Sequence, residues 1–338
     1  MSLEEFVVTD PSETNVFRSI VLFGRNVATY KFALATSLLQ FAEKGQETVT
    51  LAELSVPYSE ILCQHLKSSP KQGTSNGSRF LTACSDFNQG TITHDELIVK
   101  TTSLGFGDVI DAFHRVGTED VPTRFFLDQR KSSTPSIALT QEMMSVGLAD
   151  SSSSLLETDA RWSLVETAWA LGLSTNIIGF DEETGLLLLP ERRKAITSAR
   201  SALNGYQKGR CFYCYRNIEI VSGSPDLADV DHVFPHVLQR KGMSNNLDGV
   251  WNLVLACQPC NRGSKGKFDS TPALKYIERL SKRNEYLILS AHPLRETLIL
   301  QTGDTPALRR QFLQANLDAA MQYQTVLWDT PALSSHDF

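Results

Sequence analysis

Apolar residues recur at helical spacing through much of the first 170 residues. Between Asn15 and Lys44 they include Leu34, Leu38 and Phe41, with Gly24 and Gly45 as punctuation, which predicts one or two helices after a loose lead-in of fourteen residues. Leu51–Lys67 predicts a further helix in which Pro57 marks a break or a first turn. Residues 68–78 (SSPKQGTSNGS) read as a polar loop, and helical patterns return at Thr93–Lys100 and Phe106–Val116. Thr123–Leu127 reads as a strand and Ile137–Val146 as a helix. The serine run Ser151–Ser154 reads as a linker before an amphipathic helix over Leu155–Leu171, with Trp162, Val165 and Trp169 as core anchors.

After residue 171 the pattern changes. Ile177–Phe180 and Leu186–Leu189 flank Asp181–Gly185 as a short hairpin ending near Pro190, and Glu191–Lys208 reads as a basic helix. Val230 and Leu253–Ala256 suggest two short strands, and Asn261 opens a basic helical turn. The fold class expected is α+β. A mostly helical region (1–150) and a helix-and-hairpin connector (151–190) precede a domain over 191–338, whose core is 208–268 and whose end is helical.

The chain has 338 residues, 41% hydrophobic and 21% charged, ordinary proportions for a globular protein of two domains. It contains no apolar run of the roughly 18 residues that crossing a bilayer requires, and its first residues lack a signal layout, so a cytoplasmic protein is expected. The net charge of −6 argues against a generally basic nucleic-acid binder, but the distribution differs. Residues 191–216 carry seven Lys/Arg against one acid, 217–256 two against five, and 257–283 seven against two. Residues 191–283 are therefore net +8 and the remainder −14. A basic field around an acidic pocket suits a protein that grips phosphates and holds a divalent cation; lysines and arginines that merely solvate helix faces are the plainer explanation.

Six cysteines are too few for a disulfide scaffold. Cys63 and Cys84 stand alone and read as core residues. Cys211, Cys214, Cys257 and Cys260 form two Cys-x-x-Cys pairs, which predicts one structural Zn²⁺ held by four thiolates. The 42 residues between the pairs exceed a finger loop, so the zinc clamps the ends of a sizeable insert. A tempting calcium loop over Gly90–Glu96 fails, because Ser85, Phe87 and Gln89 stand where its first oxygen ligands are needed; a turn and a helix start are expected instead.

The insert reads Asp229-Val-Asp-His-Val-Phe-Pro-His236, a polar loop to Asp248, then Trp251-Asn-Leu-Val-Leu-Ala, and Asn261-Arg-Gly-Ser-Lys-Gly-Lys267 follows the second pair. Here the sequence resembles the HNH endonucleases in their branch with four zinc-binding cysteines. The carriers are Asp231-His232, Asn252 before Leu253-Val254, and Cys-x-x-Cys-Asn261-Arg; RNA-guided CRISPR nucleases have an HNH domain that also reads Asp-Val-Asp-His. The resemblance covers about 60 of the 338 residues. It implies a ββα-metal nuclease domain that hydrolyses DNA, leaving 5′-phosphate and 3′-hydroxyl ends. It further implies that His232 is the general base, that Asn252 orients its ring, and that Asp231 and Asn261 hold a catalytic Mg²⁺ or Mn²⁺.

An imidazole titrates near neutrality, and a cation with only two protein ligands keeps places for water and phosphate. Asp231 and His232 point to opposite faces of a strand, so they can share a site only where the strand ends, and Pro235 suits such a turn. Arg262, Lys265, Lys267 and His236 are the candidate nucleic-acid contacts, and Asp229 a candidate second carboxylate. Many family members have histidine at the last metal position; Asn261 shifts the preference towards hard cations. A non-catalytic zinc module binding nucleic acid or protein is the competing function. The acidic N-terminal region suits regulation, docking of a protein partner or self-association, and a nuclease so equipped suits restriction or anti-phage defence.

Overall fold

Short polar side chains set where the N-terminal helices begin. In the computed structural model Ser12 caps α1 (Glu13–Phe23), and α2 (Tyr30–Glu43) follows. Thr50 starts α3 (Leu51–Ser68) with a reciprocal capping box, its hydroxyl accepting from the Glu53 N–H while Glu53 accepts from the Thr50 N–H. Ser78 caps α4 (Arg79–Asn88), and Thr93 with Glu96 repeats the box at α5 (His94–Leu104). The discarded calcium loop is thus a turn and a helix start. The short α6 (Gly107–Ala112) and the long α7 (Gln141–Leu171) complete the set among the described residues. Those residues are 7, 10–24, 28–73, 77–116, 119–171, 178–181, 184–189, 194–243, 246–290 and 292–330. Most of the expected lead-in, part of the polar loop and Ile177 lie outside them.

Three sequence expectations for this region change. Pro57 does not end α3: Leu54, Tyr58 and Leu62 are all buried, and that stripe carries the helix past a proline that costs about 3 kcal/mol in isolation. Ile137 lies on a strand, not a helix. β1 (Thr48–Thr50), β4 (Phe126–Gln129) and β5 (Ser136–Leu139) form an antiparallel sheet with β5 in the middle, and the small pair β2 (Arg115–Val116) and β3 (Glu119–Asp120) lies between β1 and β4 in the chain. Ser151–Ser154 is helical, not a linker. The only interruption within α7 is at Asp150 (φ −159°, ψ 44°), and Ser151, Ser153 and Ser154 are buried. Tertiary contacts override the weak helix preference of serine here. Buried Arg18 reaches Asp150 at 3.1 Å and Glu157 at 2.9 Å, while Trp162 stacks on Phe32 and His65. Residues 151–170 therefore pack within a compact unit spanning 2–170, and a second unit spans 171–338.

In the second unit β6 (Gly179–Asp181), β7 (Leu186–Leu189) and β8 (Lys194–Ser198) form an antiparallel meander. The expected helix from Glu191 is shorter: residues 190–193 are outside the described set, 194–198 are strand, and α8 covers Ala199–Gln207. Then come β9 (Asp229–His232), α9 (Val237–Arg240), β10 (Leu253–Ala256) and α10 (Gln258–Arg262). β9 and β10 pair antiparallel, His232 opposite Leu253 and Asp229 opposite Ala256. The C-terminal helices are α11 (Leu274–Leu289), α12 (Arg295–Thr302) and α13 (Pro306–Tyr323). Helices with several small sheets make the architecture α+β. No described helix is long and apolar enough to cross a membrane.

The ion pair of Arg18 with Glu157 is buried at both ends. Arg18→Met removes a buried guanidinium from the two carboxylates of Asp150 and Glu157 and should destabilise the N-terminal unit by about 3–5 kcal/mol, whereas adding Glu157→Leu should recover part of the loss, both read by urea denaturation.

Candidate functional site

Two knuckles come together first. The Cys211 N–H donates to the Arg216 carbonyl and the Tyr215 N–H to the Cys211 carbonyl, with Tyr215 in the left-handed region (φ 59°). At the second knuckle Cys257 precedes α10, and its carbonyl accepts from the amides of Cys260 and Asn261. Arg279 holds the first knuckle in place, donating to the carbonyls of Phe212 and Tyr213 with its guanidinium 4.4 Å from the Tyr215 ring centre. From α8, Gln207 binds both the N–H (2.7 Å) and the carbonyl (2.8 Å) of Leu255, joining β10 to the helix that leads into Cys211.

The result is a cluster in which the four sulfurs lie within 4.8 Å of one another, Cys214 and Cys257 at 3.7 Å. Sulfurs around a tetrahedral zinc with bonds of about 2.3 Å stand about 3.8 Å apart, so the four residues fit the ion. The backbone N–H of Cys257 also donates to the Cys211 sulfur at 3.3 Å. Hydrogen bonding from Cys211 and its neighbours holds the Cys214 thiol far below its ordinary pKa and brings Cys257 down to about 7. Hydrogen bonds among the same sulfurs push Cys211 and Cys260 up instead, so thiolate is favoured at Cys214 and Cys257 alone.

The hairpin sets out the remaining candidates. His232 closes β9 and is largely buried; its Nε2 lies 3.1 Å from Asp248 Oδ1. The other oxygen of Asp248 is 3.6 Å from Nε2 of His236, and the two imidazole centres are 5.8 Å apart. The His232 hydrogen bond, followed by the charge of His236, lowers the Asp248 pKa below the usual carboxylate value. Asp231 faces elsewhere. Its Oδ2 accepts from Tyr213 Oη at 2.5 Å, and its Oδ1 lies 3.3 Å from Lys267 Nζ. Burial, then the Asp231 charge, pushes the Tyr213 phenol well up, keeping it a donor. Asn261 donates to Asp229 Oδ2 at 3.0 Å, and Arg262 Nε is also 3.0 Å from that oxygen. Asp229 and Asp231, two apart on β9, share a strand face.

These contacts revise three expectations. Asn252 is fully buried, but its amide holds the loop, not the imidazole: it accepts from Phe234 N–H and donates to the carbonyls of Phe234 and Leu247. Both amide hydrogens are spent there, and Asp248 is the group that meets the ring. Lys267 is no phosphate contact. Its side chain is 0% exposed, and its ammonium binds the His232 and Phe268 carbonyls at 2.9 and 3.2 Å besides Asp231. The Asn261 amide is brought to Asp229, not to Asp231, and Asn261 lies in the last turn of α10 instead of opening it. Arg262 and Lys265 are exposed as expected, with the Arg262 side chain 59% accessible. They line a cavity of about 750 Å³ together with Arg216 and the sulfurs' residues Cys214, Cys257 and Cys260.

Sequence reasoning passed over Tyr213, Asp248 and Arg216. Tyr213 carried no signal beyond its place inside the first knuckle. Asp248 lies in a polar loop, where nothing distinguishes a partner of His232 from a turn residue. Compared with known protein families, curated proteins and solved structures, the chain matches none.

X-ray absorption on the purified protein should find zinc with four sulfur neighbours at about 2.3 Å, and Cys214→Ser should leave three. Nitrogen or oxygen neighbours in the parent protein would contradict the clamp.

Proposed function

We propose that residues 211–267 form a metal-dependent DNA nuclease site of the HNH, ββα-metal kind. The observation that carries the reading is the order β9, β10, α10 bracketed by the sulfur cluster. An imidazole with a carboxylate partner stands at the end of one strand, and the alternate face of that strand bears two further carboxylates and an amide.

The chemistry follows from these groups. Asp248 accepts the Nε2–H of His232 and so favours the tautomer whose Nδ1 takes a proton. That nitrogen removes a proton from water as the water oxygen attacks phosphorus. The bond from phosphorus to the 3′ oxygen then breaks, leaving a 5′-phosphate and, after protonation, a 3′-hydroxyl. Asp229, Asp231 and the side-chain amide oxygen of Asn261 would hold a divalent cation, which when bound supplies charge stabilisation at the phosphoryl and leaving oxygens. Oxygen donors of this kind suit Mg²⁺ or Mn²⁺. Asn252 positions His232 through the loop it grips, and Arg262 and Lys265 meet flanking phosphates.

One observation favours a second reading, a zinc module that binds without cutting. Lys267 already offers Asp231 a positive charge in a buried setting, so the carboxylate is compensated with no added cation. Plasmid incubated with Mg²⁺, Mn²⁺ or chelator separates the two. Nuclease action requires metal-dependent nicking that falls about 10²–10⁴-fold in His232→Ala while the protein keeps its zinc. Equal cutting by parent and mutant, or none by either with the fold intact, leaves the binding module.

A further inference from the structure

Each Cys-x-x-Cys pair is followed, two residues on, by an arginine: Arg216 after Cys214 and Arg262 after Cys260. The meeting of the four sulfurs brings these two arginines, far apart in the chain, to one cavity of about 750 Å³, where Lys265 joins them. Trp328, from the stretch after α13, forms another part of the lining, and Asp226 supplies an opposing charge. We propose that this cavity is a nucleotide subsite: it takes one unpaired base of a DNA strand against Trp328, with the adjoining phosphates among the three cations. The binding stands on the cavity's own composition; that the strand held there is the one cut rests on the nuclease reading.

The indole is held in place before any ligand arrives. The Trp328 N–H donates to the Thr271 carbonyl at 2.9 Å, and the Trp328 carbonyl accepts from the Ala273 N–H at 2.7 Å. The ring stacks on Tyr276 with centres 5.8 Å apart and meets the Tyr213 ring edge to face at 5.1 Å. Its Nε1–H donates to the Lys265 carbonyl at 2.9 Å, so the ring and the backbone of that lysine are fixed to each other. Trp328 is still only partly buried, and a rigid aromatic loses little entropy when a base packs on it. The side chains of Arg216, Arg262 and Lys265 are exposed. Arg262 Nε lies 3.0 Å from Asp229 Oδ2, so one guanidinium both touches the carboxylate face of β9 and lines the cavity. A phosphate bound to Arg262 therefore lies beside the face where cleavage is proposed.

Compensating crowded sulfurs calls for positive charge, which the arginines supply, but not for an indole or a hollow of this size. A lone phosphate would use the cations and leave the indole idle, and an apolar ligand would do the reverse. A planar ring joined to an anion uses both, and the volume falls within the roughly 300–1,000 Å³ of small-ligand pockets. Inside a duplex each base face is covered by its neighbour, so the indole meets only a base that has left the stack.

The test uses the full zinc-loaded chain, without added Mg²⁺, and a fluorescein-labelled oligothymidylate read by anisotropy. Trp328→Ala should weaken binding about 5- to 150-fold, the loss of one base–aromatic stack, and much less for a paired duplex of equal length. Trp328→Phe should keep most of the affinity and lose the tryptophan quenching that the oligomer causes in the parent. Arg216→Ala and Lys265→Ala should each flatten the slope of log affinity against log salt by about 0.7. Unchanged binding in Trp328→Ala overturns the proposal, as does an equal loss for the duplex. Should Trp328→Ala fail to fold, full quenching in Trp328→Phe or unmoved salt slopes in the two cation variants overturns it instead. Thymidine monophosphate that competes as well as the oligomer marks a site for free nucleotides and refutes the strand assignment. With Mg²⁺ added, cutting of single-stranded DNA by Trp328→Ala should suffer in KM and not in kcat; an unchanged KM refutes the link to cutting. If no protein cuts, the nuclease reading and that link fail together, and the anisotropy still decides the cavity.

Discussion

Everything in the 171–338 unit's functional region hangs on four sulfurs meeting across 42 intervening residues. Closing a loop of that length costs chain entropy, and two short strands do not offset it, because an isolated two-stranded hairpin is marginal at best. Thiolates crowded within 4.8 Å repel one another unless protons or a cation compensate them. A zinc ion in the cluster would resolve both problems at once: it would neutralise the sulfurs and tie the start of α10 to the knuckle that follows α8. The C-terminal helices then brace the far side, where Arg283 and Asn284 of α11 bind the carbonyls of Val250 and Trp251 just before β10.

Given that clamp, strand geometry divides the polar groups. His232 ends β9 and turns to Asp248 and His236, while Asp229 and Asp231 line the alternate face with Asn261, Arg262, Tyr213 and Lys267. Lys267 links the two sides, since one buried ammonium binds the Asp231 carboxylate and the His232 carbonyl together. A lysine in that position compensates a buried carboxylate and fixes the backbone from which the imidazole projects. Its role is structural cohesion, whereas Arg262 and Lys265 of the same stretch are exposed.

What could be read from the chain follows from how local each signal is. The four-cysteine cluster, both hairpin strands and the capped helix at Thr93 were legible because a fixed short spacing or an adjacent capping pair encodes them. The strand at Ile137 and the helical Ser151–Ser154 were not, because pairing with β1 and β4 and the reach of Arg18 across more than a hundred residues decide them. Within the site, Asp231, His232 and Asn261 could be named as candidates, but their partners could not. Which carboxylate meets Asn261, and whether Lys267 faces solvent or Asp231, depends on side-chain directions that short-range sequence does not fix.

The most direct measurement of the sulfur clamp is amide hydrogen exchange followed by mass spectrometry, before and after zinc is stripped with a chelator. Loss of protection confined to peptides covering 208–268, with residues 10–170 unchanged, is the outcome expected if the metal holds the hairpin and α10 together. Protection of β9, β10 and α10 that survives complete removal of zinc would contradict it.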